Sequence, residues 1–231
     1  MNKKFILLGS LLILLAAAGY STFPEKRAAQ KINQSENTST APAGERTSIP
    51  DGSYAAVPEK SAVRWQGRKP LLQGYFDNGT LGIRSGNATI GDGKAKGGKI
   101  VFDMNAIRVT KTSAGSGERF LENHLKSDDF FAVATFPTAE FTVKDAAPDA
   151  STPFGYTIRG DLTIKGITHE MEIPVIAYMQ NGIPHLEAEA SFDRTKWNIR
   201  YGSGQFFKDL ADNVIDDMIT VSFSLIGTPV Q

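Results

Sequence analysis

The stretch YTIRGDLTIKGITHEMEIPV, residues 156–175, carries two apolar/polar alternating runs. Tyr156, Ile158, Leu162 and Ile164 mark the first, and Met171, Ile173 and Val175 the second. Lys165-Gly166-Ile167-Thr168-His169-Glu170 lies between them. A period of two puts alternate side chains on one face of a strand, and a glycine in a short connection lets the backbone reverse. The pattern therefore reads as a β-hairpin. The same reading extends outward. Residues 139–143, 186–192 and 219–226 are strand-like, and in the last Ile219, Val221, Phe223 and Leu225 face away from Thr220, Ser222 and Ser224. Upstream, residues 54–57, 62–65, 74–76, 80–83 and 99–105 are strand-like too. Val63 and Trp65 share one face, as do Leu81 and Ile83, and Ile100, Phe102 and Met104 share another. A glycine-dense stretch at 91–98 turns the chain back between them. About eight strands with short turns predict an all-β, antiparallel, eight-stranded barrel, since closure removes the exposed edges of such a sheet.

Composition agrees. The 231 residues suffice for one sizeable all-β domain with appendages. There are 22 glycines and 14 phenylalanines, which suits tight turns around an aromatic interior. Lys+Arg and Asp+Glu are both 25, so no charge excess argues for a nucleic-acid partner. Cysteine is absent, which removes disulfides, thiolate metal sites, cysteine nucleophiles and a lipid-modified cysteine anchor.

Residues 1–18 read as a signal peptide: Lys3 and Lys4 precede an apolar core at 5–15 and the small residues Ala16-Ala17-Ala18. An uncleaved anchor is the rival, and would keep the protein near a membrane; either way the remainder lies outside the cytoplasm. Residues 19–51 read as a flexible polar linker rich in Ser, Thr and Asn, and Asn37-Thr38-Ser39 as a chance sequon. The folded domain is expected at 52–229. Within it, a short helical segment near 116–131 interrupts the strands. Ser116 is a candidate cap, Phe120, Leu121, His124 and Leu125 form one stripe, and Ser127-Asp128-Asp129 is a second capping signal. Its apolar cluster, Phe120, Leu125, Phe130, Phe131 and Phe136, is expected to fold over a rim of the sheet.

Two longer motifs carry a family resemblance. His124-Leu125-Lys126-Ser127-Asp128-Asp129-Phe130-Phe131, followed by Phe136-Pro137-Thr138-Ala139-Glu140-Phe141, resembles the core of YceI-like proteins, as does Gly160-Asp161-Leu162-Thr163-Ile164-Lys165-Gly166-Ile167-Thr168. Phe192-Asp193-Arg194-Thr195-Lys196-Trp197-Asn198 and Ile215-Asp216-Asp217 are similar to the closing segments of that family. The resemblance runs over about residues 53–227. It implies a lipocalin-like extended barrel of the periplasm or cell exterior that holds a polyisoprenoid or other long-chain amphiphile, and it supplies no catalytic residues. One departure is Gly74-Tyr75-Phe76-Asp77, where related sequences often carry a histidine before a glycine; a head-group contact from that position is thereby put in doubt.

A linear lipid offers little but apolar area, so an aromatic-lined tunnel can hold it without a catalytic group. The candidate ligand-binding residues are Trp65, Phe76, Phe102, Phe120, Leu125, Phe130, Phe131, Phe141, Trp197, Tyr201, Phe206 and Phe207. The competing reading is that these rings simply fill the barrel. Arg194, Arg200 and Lys208 are candidates for a polar head group. His124, His169 and His185 lack metal-ligand spacing, and His124 reads as a packed histidine. The pairs Asp128/Asp129 and Asp216/Asp217 lack calcium-loop spacing, and no G-x-S-x-G nucleophile motif occurs. The leading reading is a non-enzymatic carrier of a polyisoprenoid, quinone precursor or fatty-acid derivative, with no cofactor. A tethered interaction module with a solid barrel is the alternative. A lipid head-group enzyme using Asp216/Asp217 and His124 ranks last. The sequence leaves homodimerisation open.

Overall fold

The computed structural model describes residues 44–230. The signal segment and the linker as far as residue 43 lie outside the described residues. The elements in chain order are β1 (Arg46–Thr47), β2 (Gly52–Ala56), β3 (Ala62–Arg68), β4 (Phe76–Gly91), β5 (Lys94–Lys111), α1 (Glu118–Lys126), β6 (Thr138–Asp149), β7 (Gly155–Ile164), β8 (Ile167–Gln180), β9 (Ile183–Asp193) and β10 (Met218–Val230).

The β7–β8 hairpin is tighter than its sequence suggests. Ile164 pairs with Ile167, so the connection is only Lys165-Gly166, with φ of 50° and 72°. Two positive φ values make a type I′ turn, whose twist matches that of the flanking strands. Ile167–Glu170 thus belongs to the strand. The turn of the glycine-dense 91–98 stretch is likewise just Asp92-Gly93, while Gly97 and Gly98 sit inside β5.

Antiparallel pairing runs unbroken from β4 through β5, β6, β7, β8, β9 and β10. β10 then pairs with β2 through residues 227–230 and with β3 through residues 220–224. Both β2 and β3 also pair with β4, which closes the ring. They act as two halves of one stave, separated by a single 3-10 turn at Pro58–Lys60. With β4 to β10, this gives an eight-stranded antiparallel barrel. The expected linker ends earlier than its composition suggests: Arg46 and Thr47 pair with Gln180 and Met179, and the Arg46 guanidinium lies 3.9 Å from the centre of the Tyr178 ring.

The helix begins one turn residue later than Ser116 would place it. Gly117 is the N-cap, at φ 86° and ψ 164°, a backbone conformation only glycine adopts without strain. Beyond Lys126 the chain makes turns rather than a second helix. Phe130 and Ala132 both donate their N–H groups to the Ser127 carbonyl, and the Ser127 hydroxyl bonds back to the His124 carbonyl.

One close approach braces the wall at β3–β4. Gly79 lies directly under Trp65, whose Nε1 donates to the Thr80 carbonyl at 3.3 Å, and a Cβ at position 79 would collide with the Arg108 carbonyl and the indole ring. Overpacking of this kind costs about 1–3 kcal/mol or more. Gly79→Val is therefore expected to lower the melting temperature by roughly 4–10 °C, given about 2–4 °C per kcal/mol for a domain of this size. Thermal unfolding followed by circular dichroism checks this.

Candidate ligand-binding lumen

The inward-facing residues follow from the pleat. Alternate positions on β7 (Tyr156, Ile158, Leu162, Ile164), β8 (Met171, Ile173, Val175, Ala177), β9 (Leu186, Ala188, Ala190, Phe192) and β10 (Ile219, Val221, Phe223, Leu225) all face one interior cavity. Its volume is about 560 Å³. Lining residues on β7, β9 and β10 span eight-residue steps, which at about 3.3 Å per residue and a barrel-like tilt gives a depth on the order of 20 Å. The core is thus hollow: Val63, Phe102, Ile158 and Val175 are both core residues and cavity wall.

The two ends differ. One carries the two-residue turns β4–β5 and β8–β9 and the five-residue β6–β7 connection. Lys94, His185 and Asn87 reach the cavity there beside Tyr54 and Tyr156, whose hydroxyls bond to the Pro50 and Gly93 carbonyls. The other end carries the long connections, including α1 and residues 194–217. Here Phe120, Leu125, Phe130, Phe131 and Tyr201 form the cavity's end wall. The His124 ring makes edge contacts with Phe130 and Tyr201 at centroid distances of 4.9 and 4.6 Å, and its Nε2 lies 3.0 Å from Asp129 Oδ2. It is a packed histidine with a carboxylate partner.

Arg194 organises this end. It is only 2% exposed. Its five N–H groups meet five acceptors: Nε donates to the Asp216 carbonyl, Nη1 to the Ile199 and Tyr201 carbonyls, and Nη2 to the Ile215 carbonyl and Asp217 Oδ1. Burial lowers its pKa against the opposing pull of Asp217, Asp193 and Asp216, yet an arginine stays charged throughout the working pH range. Asp217 also accepts from the Ser203 hydroxyl and the Gln205 amide, and Asp216 accepts from the Arg68 Nε–H and the Met218 N–H. Burial pushes the Asp216 carboxyl up, but the Met218 N–H and the Arg68 and Arg194 charges outweigh it and hold the pKa below its usual value. Both acidic residues are occupied in holding the loop. His124 is engaged separately with Asp129, so the acid/base constellation that an enzyme reading needs is not assembled.

Of the residues singled out from sequence, Trp65, Phe102, Phe120, Leu125, Phe130, Phe131, Phe141 and Tyr201 line the cavity. Four do not. Trp197 is 1% exposed and packed solid, edge-on to Phe192 and donating to the Leu162 carbonyl. Phe76 opens β4 and is exposed on the outside, while Phe206 and Phe207 are exposed beyond a turn in which both donate their N–H groups to the Ser203 carbonyl. The head-group expectation also changes. Arg194 has no donor left, and Arg200 and Lys208 are exposed outside the cavity, with the Arg200 guanidinium 4.4 Å from the centre of the Phe206 ring. Most of the wall is aliphatic and was missed by attention to rings, although the alternation on β7 to β10 marks it. Among the described residues, no three His, Asp or Glu side chains gather closely enough to hold a metal ion.

Comparison with known proteins adds the following. The family model for the YceI-like domain matches residues 54–226. The crystal structure of BcnA from Burkholderia cenocepacia superposes with a TM-score of 0.58 at 20% identity, covering 75% of this chain and 99% of that one. A polyisoprenoid binding domain from Saccharophagus degradans, implicated in plant cell wall breakdown, superposes with a TM-score of 0.57 at 15% identity, covering 77% and 98%. At these identities the likeness is one of fold. No curated protein matches the chain in sequence.

Two outcomes follow from the Arg194 arrangement. Arg194→Lys supplies three donors for five acceptors, and at about 1–3 kcal/mol per stranded buried group it should cost at least about 2 kcal/mol, read by urea unfolding. The Asp216 carboxylate has a depressed folded pKa, so its contribution is whole above the ordinary carboxylate value and is lost as pH falls through the lower folded one. Melts taken from about pH 6 to about pH 2 should therefore show a shallower acid limb for Asp216→Asn than for the unsubstituted protein.

Proposed function

This chain belongs to the YceI-like family, and on that premise we propose that it is a non-enzymatic carrier of a long-chain lipid, a polyisoprenoid or a fatty amphiphile of similar length, held in the barrel lumen. Its place is the periplasm or another extracytoplasmic compartment, in keeping with the basic, apolar and small-residue pattern of residues 1–18.

The observation that carries this reading is the hollow apolar core. A lumen of about 560 Å³ falls within the range of small-ligand sites, about 300–1,000 Å³, which are lined mainly by apolar side chains with a few placed polar groups. The aliphatic wall is matched to a hydrocarbon rather than to water. The depth of about 20 Å exceeds the roughly 15 Å that one leaflet of acyl chains spans in a bilayer, which favours a long chain. Asn87, Lys94 and His185 at the tight-turn end offer polar contacts for a head group, the Tyr54 and Tyr156 hydroxyl protons being spent on the Pro50 and Gly93 carbonyls.

Ala188 and Ala190 face the lumen from β9, where a small side chain leaves the width a chain needs. Ala188→Trp should cut uptake of a fluorescent prenyl or fatty-acyl probe by delipidated protein at least tenfold while leaving the far-ultraviolet spectrum unchanged. Equal uptake by the variant would contradict lumen binding. Filling the lumen at about one hundred times the dissociation constant adds about 2.7 kcal/mol of stability, so delipidation should lower the melting temperature by roughly 5–10 °C.

A further inference from the structure

We propose that the long-connection end of the barrel is a membrane-docking face, which seats on a bilayer surface and passes lipid between the bilayer and the lumen. The inference rests on the carrier reading for its purpose, though not for its geometry. Among the described residues, the exposed large hydrophobics are unevenly placed. Leu71 and Phe76 lie in and beside the β3–β4 connection, Phe120 on α1, Phe206 and Phe207 in the β9–β10 connection, and Met218 at the start of β10. All of these, with Tyr201, belong to the same end of the barrel, because in an up-and-down antiparallel sheet alternate connections fall on the same side; Ile183 and Val230 are the two at the opposite end. At the other end the Asp92-Gly93 and Asn181-Gly182 turns are small and polar, and residues 150–154 between β6 and β7 hold a half-buried Phe154. Soluble proteins rarely leave such a patch uncovered.

Two features choose a lipid surface as the occupant. Phe120 is 64% exposed and still lines the cavity, so the apolar patch and the apolar lumen are continuous through one side chain. A hydrocarbon chain moving along that route need not cross water. The rings are also accompanied by Arg119, Arg200 and Lys208, with the Arg200 guanidinium stacked on Phe206, an arrangement suited to the bilayer interface where rings enter and cations stay at head-group level. Glu118, Asp209 and Asp212 lie beside these cations, so the face has no strong excess charge. Insertion of rings rather than attraction to anionic lipid is the driving term, and docking should depend weakly on salt.

The absence of cysteine allows a direct test on the full chain. An environment-sensitive fluorophore is placed through Lys208→Cys at the docking end or through Ala150→Cys in the β6–β7 turn at the opposite end, and phosphatidylcholine vesicles carrying a nitroxide-labelled lipid are added. The expected result is strong quenching at position 208 and little at position 150. It should fall at least threefold in a Phe206→Ser/Phe207→Ser background and change little with added salt. Equal quenching at both positions, quenching greater at 150, or an effect unchanged by the double substitution would overturn the proposal. Oligomerisation or capture of a protein by the same end, without quenching, would overturn it too. Lipid uptake is measured in parallel on the double variant. Docking with no lipid uptake by any variant would defeat the carrier reading and leave the docking face standing; slower uptake with unchanged final occupancy is expected if both hold.

Discussion

The fold depends on β10. It pairs with β9 over nine residue pairs on one side, from Met218 to Ile226, and on the other with the two halves of the first stave. Without that double pairing the chain would be a curled sheet with two open edges, and its inner face would be an exposed apolar surface. With it, every stave has a neighbour on each side and the wall can enclose volume without leaving backbone groups unpaired. A lumen is therefore a consequence of closure, and its apolar character a consequence of the period-two pattern that closure turns inward.

Closure leaves two mouths to manage, and the chain treats them differently. Short connections finish one end: two-residue turns at Asp92-Gly93 and Asn181-Gly182 and a five-residue loop at 150–154. At the other, the 194–217 segment needs an internal framework, because a long connection has no ladder of its own. Arg194 provides it by gathering the carbonyls of Ile199, Tyr201 and Ile215 around one buried charge, with Asp217 as counter-ion. Such a buried pair contributes little net stability, but breaking it is expensive. Its use here is to hold Tyr201 against His124 and Phe130, and so to fix where the lumen ends.

The barrel was legible in the sequence because alternation is a local signal and the strands are long. In β7, β8 and β10 nearly every inward residue could be named from spacing alone. Helix α1 was legible for the same reason, through the stripe of Phe120, Leu121, His124 and Leu125. The site was read less well. Trp197, Phe206 and Phe207 sit in a connection with no periodicity, so sequence could not say that Trp197 is packed solid while its neighbours 206 and 207 face out. The saturation of Arg194 was likewise hidden, since its acceptors are backbone carbonyls that any residues could supply. The role of Ala188 and Ala190 escaped because small residues carry no chemical signature; only the width they leave in the closed barrel gives them one.

The central claim, that the lumen holds a long-chain lipid, is tested most directly by native mass spectrometry of the purified protein beside chemical analysis of its organic extract. The account predicts one extra mass per chain, matching a long-chain lipid recovered in the extract. A mass equal to that of the chain alone, unchanged after incubation with prenyl and fatty-acyl lipids, would contradict it.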